Sequence, residues 1–474
     1  MVARIDFPLA SPESQGLDAT VIAQALDSLK AKQIPVHSFL VVRHGKLVCE
    51  VYGKPWTRDS LHRLYSSTKS FVALAIGVLL GQGKIRLDDA ICDYFPEMLP
   101  SPVPEQLRLM TIRHMLMMES CHASTTYKFG ASVKRDSSTW QHDWVRSFFQ
   151  EKPDHDPGAL FMYDTSAPHV LGALCEKLSG KTLSEFLLDS FLEGIGVSRD
   201  TYCLKDPMGV AIGGSGMMIR PIDVMRTLSF IQKGGEGIIP SSFLEDATGN
   251  LCDTSANWFD SACGYGYYFW RTSHNGWSMQ GLGGQLAIAI PDKDLLFVTT
   301  ADTIDIPGGD QYLKDAIWTI VDTAKDARLP GETRLEDFEL PHLLSCGPER
   351  TVQKTFRFKE NPIGIRSMKC EIGAKEGSLV LTDTQNRTFP LSFEIGSNRI
   401  QPFPQRPSIA PLAVSGSWMS DGTFRIWAQF LGENQGNWRA QLSFQGEKVT
   451  LLAQLVGELD FSGMSGVCSG EEER

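Results

Sequence analysis

Ser66 and Lys69 stand three residues apart in Tyr65-Ser66-Ser67-Thr68-Lys69-Ser70-Phe71, immediately before the apolar run FVALAIGVLLG at 71–81. Positions i and i+3 of a helix share a face, so this S-x-x-K spacing sets the serine hydroxyl beside the lysine amine on the first turn. The first four backbone N–H groups of a helix lack partners within it. One short element thus offers a nucleophile, a neighbouring amine and, in the Ser66 N–H, an oxyanion donor. A chain of 474 residues produces such a tetrad by chance, and its bland reading is a capped helix with a solvated lysine. The run that follows argues otherwise. A helix so apolar cannot lie on the surface, so its first turn is half buried. A half-buried amine sheds its charge and becomes a proton acceptor.

The elements around this tetrad follow from periodicity. Residues 17–33 carry apolar positions at helical spacing. Residues 37–43 and 46–52 read as two strands joined by His44-Gly45, a hairpin. Helical patterns dominate from 61 to 280, over 70–82, 111–118, 169–179, 182–193 and 221–233, separated by loops rich in Gly, Pro and Ser. Strand character returns at 285–290 (QLAIAI) and 295–300 (LLFVTT), and 311–327 reads as a closing helix. The expected fold is α/β of the α+β kind: an antiparallel sheet built from both ends of residues 1–330, with helices packed on it and a helical subdomain. After Leu329-Pro330-Gly331 the texture changes to short alternating segments, so 331–474 is expected to be a separate antiparallel all-β domain. Its tail from Ser462, small and polar, is expected to fray.

Composition removes other classes of function. Lys and Arg number 45 against 56 Asp and Glu, a net charge of −11, which disfavours binding to nucleic acid. The apolar run at 71–81 is far shorter than the roughly 20 residues that span a bilayer, so no membrane partner is expected. No export signal is read in the first residues, and ten cysteines without a CxxC pair suit a reducing compartment, so a cytoplasmic location is expected. Ten histidines show no HExxH or other metal spacing, so no metal is expected. Cys121 beside His122 hints at a thiol nucleophile, but sequence neighbours rarely face each other, and the pair reads as loop residues.

In this context the sequence resembles the serine hydrolases of the class C β-lactamase and penicillin-recognising superfamily. The resemblance covers about residues 10 to 327 and rests on the tetrad, on KIRLDDAICDYFPEM at 84–98 and on LRLMTIRHMLMMES at 107–120. That family's second motif is a tyrosine in Y-x-N before a helix; here Tyr163-Asp164-Thr165 precedes SAPHVLGALCEKLSGKTLSEFL. The resemblance makes Tyr163 a general base and acid. An unperturbed phenol titrates near 10, so the phenolate would need a nearby cation, for which Lys69 is available. Thr165 replaces the usual Asn, keeping a hydroxyl but losing the amide that would contact a substrate carbonyl.

The third motif, K-T-G or H-x-G, is absent in that form. Its place is taken by Met279-Gln280-Gly281-Leu282-Gly283-Gly284-Gln285, similar to the G-x-x-G-Q version in relatives of 6-aminohexanoate-dimer hydrolase and esterases of the same fold. By that correspondence the Leu282 N–H is the second oxyanion donor, and Gly281 and Gly283 let the backbone approach the substrate. The missing cation weakens the case for β-lactam or D-Ala-D-Ala substrates. Trp270 and Trp277, with Tyr267 and Tyr268, are expected to supply part of an acyl-group pocket, half of the set belonging to the sheet core. The segment 212–217 reads equally as an active-site edge or a helix-entry turn.

The resulting expectation is a serine hydrolase acting on esters or amides of small molecules through a Ser66 acyl-enzyme, without metal or organic cofactor. The alternatives are a β-lactamase or DD-peptidase, and a non-catalytic ligand-binding module. The β domain has three open roles: packing over the cleft, mediating a homodimer, or stabilising the catalytic domain.

Overall fold

His44 and Gly45 both adopt left-handed backbone, with φ of 49° and 67°. This two-residue turn matches strand twist and joins β1 (Val36–Arg43) to β2 (Lys46–Lys54) in the expected hairpin. The computed structural model describes residues 2–125, 143–257, 259–403, 405–457 and 465–473. They divide into two compact units, the first reaching Phe338 apart from 304–307, the second comprising 304–307 and the chain from Glu339 on.

In the first unit β3 (His62–Arg63), β4 (Tyr202–Cys203) and β5 (Met217–Ile219) form a small sheet in the order β3-β5-β4. The large sheet adds β6 (Trp270–Arg271), β7 (Trp277–Gly281), β8 (Gln285–Ile290), β9 (Leu295–Ala301) and β10 (Phe338–Glu339) to the hairpin, in the order β10-β2-β1-β9-β8-β7-β6. β1 pairs antiparallel with β9, Val36 opposite Ala301 and Arg43 opposite Leu295. The sheet is thus assembled from both ends of the unit, as the sequence pattern predicts.

Every residue of β1, β8 and β9 is buried. The helices Ala19–Ala31 and Gly309–Thr323 pack on each other, and Pro221–Gln232 lies on β1, β8 and β9. Strands covered on both faces read as continuous apolar runs rather than alternations. The helix Thr68–Gly81 is buried from Thr68 through Leu79, against Ser166–Ser179 and Leu183–Leu187, so its uniform hydrophobicity reflects burial all round. The short helices Glu105–Leu109, Trp144–Gln150 and Ser241–Thr248 and the strands β3 to β5 were not expected, being too short for their periodicity to stand out. No helix of the described residues is long and apolar enough to cross a membrane.

The second unit is all β. Its strands are β11 (Val352–Phe358), β12 (Ile365–Ile372), β13 (Glu376–Asp383), β14 (Thr388–Glu394), β15 (Arg399–Gln401), β16 (Leu412–Trp418), β17 (Phe424–Phe430), β18 (Gly436–Gln445), β19 (Lys448–Gly457) and β20 (Gly466–Glu472). They run in the order β14-β13-β12-β11-β20-β19-β18-β17-β16-β15, and a parallel contact of β14 with β16 at Glu394 and Ser415 closes a barrel around Phe356, Met368, Phe393, Trp418 and Phe424. The expected frayed tail is corrected here. β20 pairs with both β11 and β19, turning Cys468 and Gly470 inward and Val467 outward. One apolar side chain among small inward residues suffices, because the strand is held by ladders on both sides. Ser462 itself lies outside the described residues.

Candidate active site

β3 runs straight into the Tyr65–Ser67 turn, which continues as the helix Thr68–Gly81. Tyr65 has φ of 48°, a conformation uncommon for a side chain of its size, and it stands directly before the nucleophile candidate. The hydroxyls flanking Ser66 are committed to the scaffold. Ser67 Oγ donates to the Gln285 carbonyl (3.0 Å), Ser70 Oγ donates to the Tyr268 carbonyl (2.6 Å), and Thr68 Oγ1 accepts from the Met217 N–H (3.0 Å).

Lys69 is 1% exposed, and its Nζ lies 2.9 Å from Ser66 Oγ and 2.7 Å from the Gly214 carbonyl. Burial pushes its amine down from 10.5 to about 7, with Asp164 pulling the other way. The tetrad therefore sets a half-buried serine hydroxyl beside a buried amine, and the solvated-lysine reading is excluded. The 212–217 segment, through Gly214, is an edge of this site.

Tyr163 comes to the same place from the loop before the helix Ser166–Ser179. The Lys69 ammonium lies 5.1 Å from its ring centroid, and the ring stacks on Trp270 at 5.7 Å while keeping 39% of its surface exposed. Desolvation pushes the phenol up to about 12, against a lowering hydrogen bond to Ser66. The phenol is thus protonated near neutral pH, and Lys69 is the group of the pair that can be uncharged there. Asp164 is buried and caps the helix, accepting from the Ser166 (2.9 Å) and Ala167 (2.7 Å) N–H groups; burial raises its carboxyl. Thr165 donates its backbone N–H to Thr125 Oγ1 at 3.1 Å.

β7 ends against the turn. A Cβ on Gly281 would collide with the Leu64 carbonyl oxygen, so only glycine allows this approach. Gly283 and Gly284 take φ of 79° and 87°, and Gln285 Nε2 ties the loop by donating to the carbonyls of Leu282 (3.2 Å), Gly283 (3.1 Å) and Ala301 (2.7 Å). Leu282, at the tip, is 44% exposed. Met279 is buried; Gln280 Oε1 accepts from the buried Lys314 Nζ at 3.0 Å, and Gln280 Nε2 donates to Ser278 Oγ at 2.8 Å.

Of the expected pocket aromatics the structure brings Trp270 to Tyr163, backed by Tyr265 at 4.7 Å. Trp277, 4% exposed, packs edge-on against Phe269 in the core, and Tyr267 and Tyr268 are buried there too. Phe161, which sequence reasoning missed, packs on Tyr265 at 5.2 Å; its place two residues before Tyr163 was the available signal. Cys121 and His122 are buried, and their Sγ and Nε2 do approach, at 3.8 Å. Burial nevertheless pushes the thiol up to about 12 and the imidazole down to about 4, so no thiolate forms near neutrality. Among the described residues no group of three or more His, Cys, Asp or Glu side chains is placed to hold a metal.

Similarity to known proteins spans most of the first unit. The family model described as Beta-lactamase matches residues 21–318. Esterase EstB of Burkholderia gladioli is 29% identical over 195 residues, covering 36% of this chain and 50% of its own. The chain spans half or less of the length of the first curated relatives it matches. A Bacillus anthracis structure described as a 6-aminohexanoate-dimer hydrolase superposes with TM-score 0.54 at 18% identity, over 68% of this chain and 90% of that one. The octameric penicillin-binding protein homologue from Pyrococcus abyssi superposes with TM-score 0.53 at 15% identity, over 96% of this chain and 99% of that one.

Proposed function

The chain belongs to the beta-lactamase family, and from that premise we propose that it is a serine hydrolase cleaving esters or amides of small molecules through an acyl-enzyme on Ser66. One observation carries the reading: a lysine amine 2.9 Å from Ser66 Oγ, buried enough to titrate at about 7. An unprotonated Lys69 takes the Ser66 proton as Oγ attacks the carbonyl carbon. The Tyr163 phenol hands a proton to the departing alkoxide or amine and is reprotonated through Lys69. Water then attacks the acyl carbon, gives up its proton by the same relay, and releases the acid and free Ser66.

The developing oxyanion is assigned to the backbone N–H groups of Ser66 and Leu282, an assignment supported by the close approach of Gly281, next to Leu282, to the Leu64 carbonyl before the Ser66 turn. Gly281, Gly283 and Trp270 border the acyl group. The similarity to an esterase supports ester substrates first. With Met279 buried and Gln280 tied to Lys314, that strand end offers no free cation for a substrate carboxylate, which argues against β-lactams. We assign catalysis to residues 1–330 and a supporting role, with homodimer formation as its alternative, to 331–474. Ten unpaired cysteines support a reducing, cytoplasmic setting.

The test is hydrolysis of p-nitrophenyl butyrate by the wild type and Ser66→Ala, with intact-mass detection of a fluorophosphonate adduct on each. Turnover and labelling confined to the wild type support the reading. A wild type that neither turns over nor labels overturns it.

A further inference from the structure

Two walls of the site meet at a side chain that the mechanism above does not use. Arg63 ends β3, three residues before Ser66, and is only 6% exposed. A buried guanidinium is costly unless its donors are satisfied. Here Nε donates to the Ser215 carbonyl at 2.9 Å, and an Nη donates to Ser215 Oγ at 3.4 Å. Its plane lies 4.6 Å from the Tyr65 ring centroid. Both contacts touch the catalytic apparatus. Tyr65 is the positive-φ residue that sets the Ser66 turn, and Ser215 follows Gly214, whose carbonyl holds Lys69 Nζ at 2.7 Å. The strand is fixed behind it, Arg63 opposite Met218 and Leu64 N–H donating to the Met217 carbonyl at 2.8 Å.

We propose that Arg63 is a positioning residue that clamps Ser215, and through it the adjoining Gly214 carbonyl, to the Tyr65–Ser67 turn and so helps aim the Lys69 lone pair at the Ser66 hydroxyl. The reasoning is geometric. A neutral amine has two N–H donors and one lone pair. When the Gly214 carbonyl takes one N–H, Nζ is held in place and its lone pair is kept off the Gly214 side, and the Ser66 O–H, donating to it, selects the orientation that faces Oγ. Without that acceptor the amine turns freely, and the reactive orientation becomes one among several. Lysine in place of Arg63 keeps the charge but has neither the fork for two Ser215 oxygens nor a flat face for Tyr65. The other ionisable groups facing Lys69 are Asp164 and Tyr163.

This inference rests on the proposed serine-hydrolase reading, and its experiment separates the two. Steady-state kinetics of wild type, Ser66→Ala and Arg63→Lys are measured from pH 5.5 to 9, each protein checked for a cooperative melt. We expect Arg63→Lys to lose tenfold or more in kcat with KM within twofold. Its acid limb should move down by half a pH unit or more, because the ammonium form loses the stronger hydrogen bond to Gly214. An active wild type with Arg63→Lys within twofold in kcat and an unmoved limb overturns the clamp alone. A fall in activity that only tracks the folded fraction overturns it too. If Arg63→Lys does not melt cooperatively, Tyr65→Leu, which removes the ring under the guanidinium, is read by the same criteria. An inactive wild type overturns the hydrolase reading first.

Discussion

At the scale of single residues, Lys69 couples activity to stability. In the proposed mechanism activity requires the neutral amine, so kcat/KM should rise with pH through about 7 and level above it. A rate profile flat from pH 5.5 to 8 contradicts this. The unfolded chain keeps the same proton up to about 10.5, so between 7 and 10.5 unfolding takes up a proton and stability rises with pH. Lys69→Met should therefore abolish turnover yet raise stability at pH 7 by roughly 2–4 kcal/mol, and by less at pH 9, in urea titrations at both pH values. Tyr163 answers to a different probe. A phenol held near 12 serves leaving groups that need a proton. Tyr163→Phe should slow hydrolysis of ethyl butyrate about 100-fold or more and that of p-nitrophenyl butyrate far less, since nitrophenolate departs unprotonated. Equal losses on both esters remove the proton-donor role.

At the scale of elements, the site exists because β7 touches the nucleophile turn. Gly281→Ala puts a methyl against the Leu64 carbonyl and must separate them. It should cost about 1–3 kcal/mol in denaturant titrations and at least tenfold in kcat, since a 1 Å misplacement costs on the order of 100-fold. Wild-type activity in that variant would place the oxyanion donors elsewhere. This contact also marks the limit of what the chain reveals unaided. Ser66 and Lys69 were legible because their chemistry is written in residue types before a long apolar helix, Tyr163 through the resemblance to a known family, and the His44-Gly45 turn identified its hairpin. The clamp at Arg63 was not, because its partner Ser215 lies 152 positions away and nothing in either segment names the other. Trp270 and Trp277 illustrate the same limit: identical residues on one hairpin, one beside Tyr163 and one in the core, divided by the sidedness of strands too short to show it.

At the scale of the whole molecule, the two large sheets handle their edges differently. The barrel of the second unit needs β20 to join β11 to β19. A chain stopped after Gly457 exposes both neighbours as unpaired edges, and should aggregate and lose exchange protection in β11 and β19. Retained protection in both strands would show that the barrel closes without its last strand. The sheet of the first unit closes on β1 with β9, Val36 opposite Ala301. That pairing has a meaning for the ribosome. At roughly 5–20 residues per second, β9 is made about 12–48 s after the hairpin is complete. Throughout that interval an apolar strand buried on both faces in the finished protein has one open edge. Birth order therefore leaves that edge unpaired at a stage the mature protein never revisits.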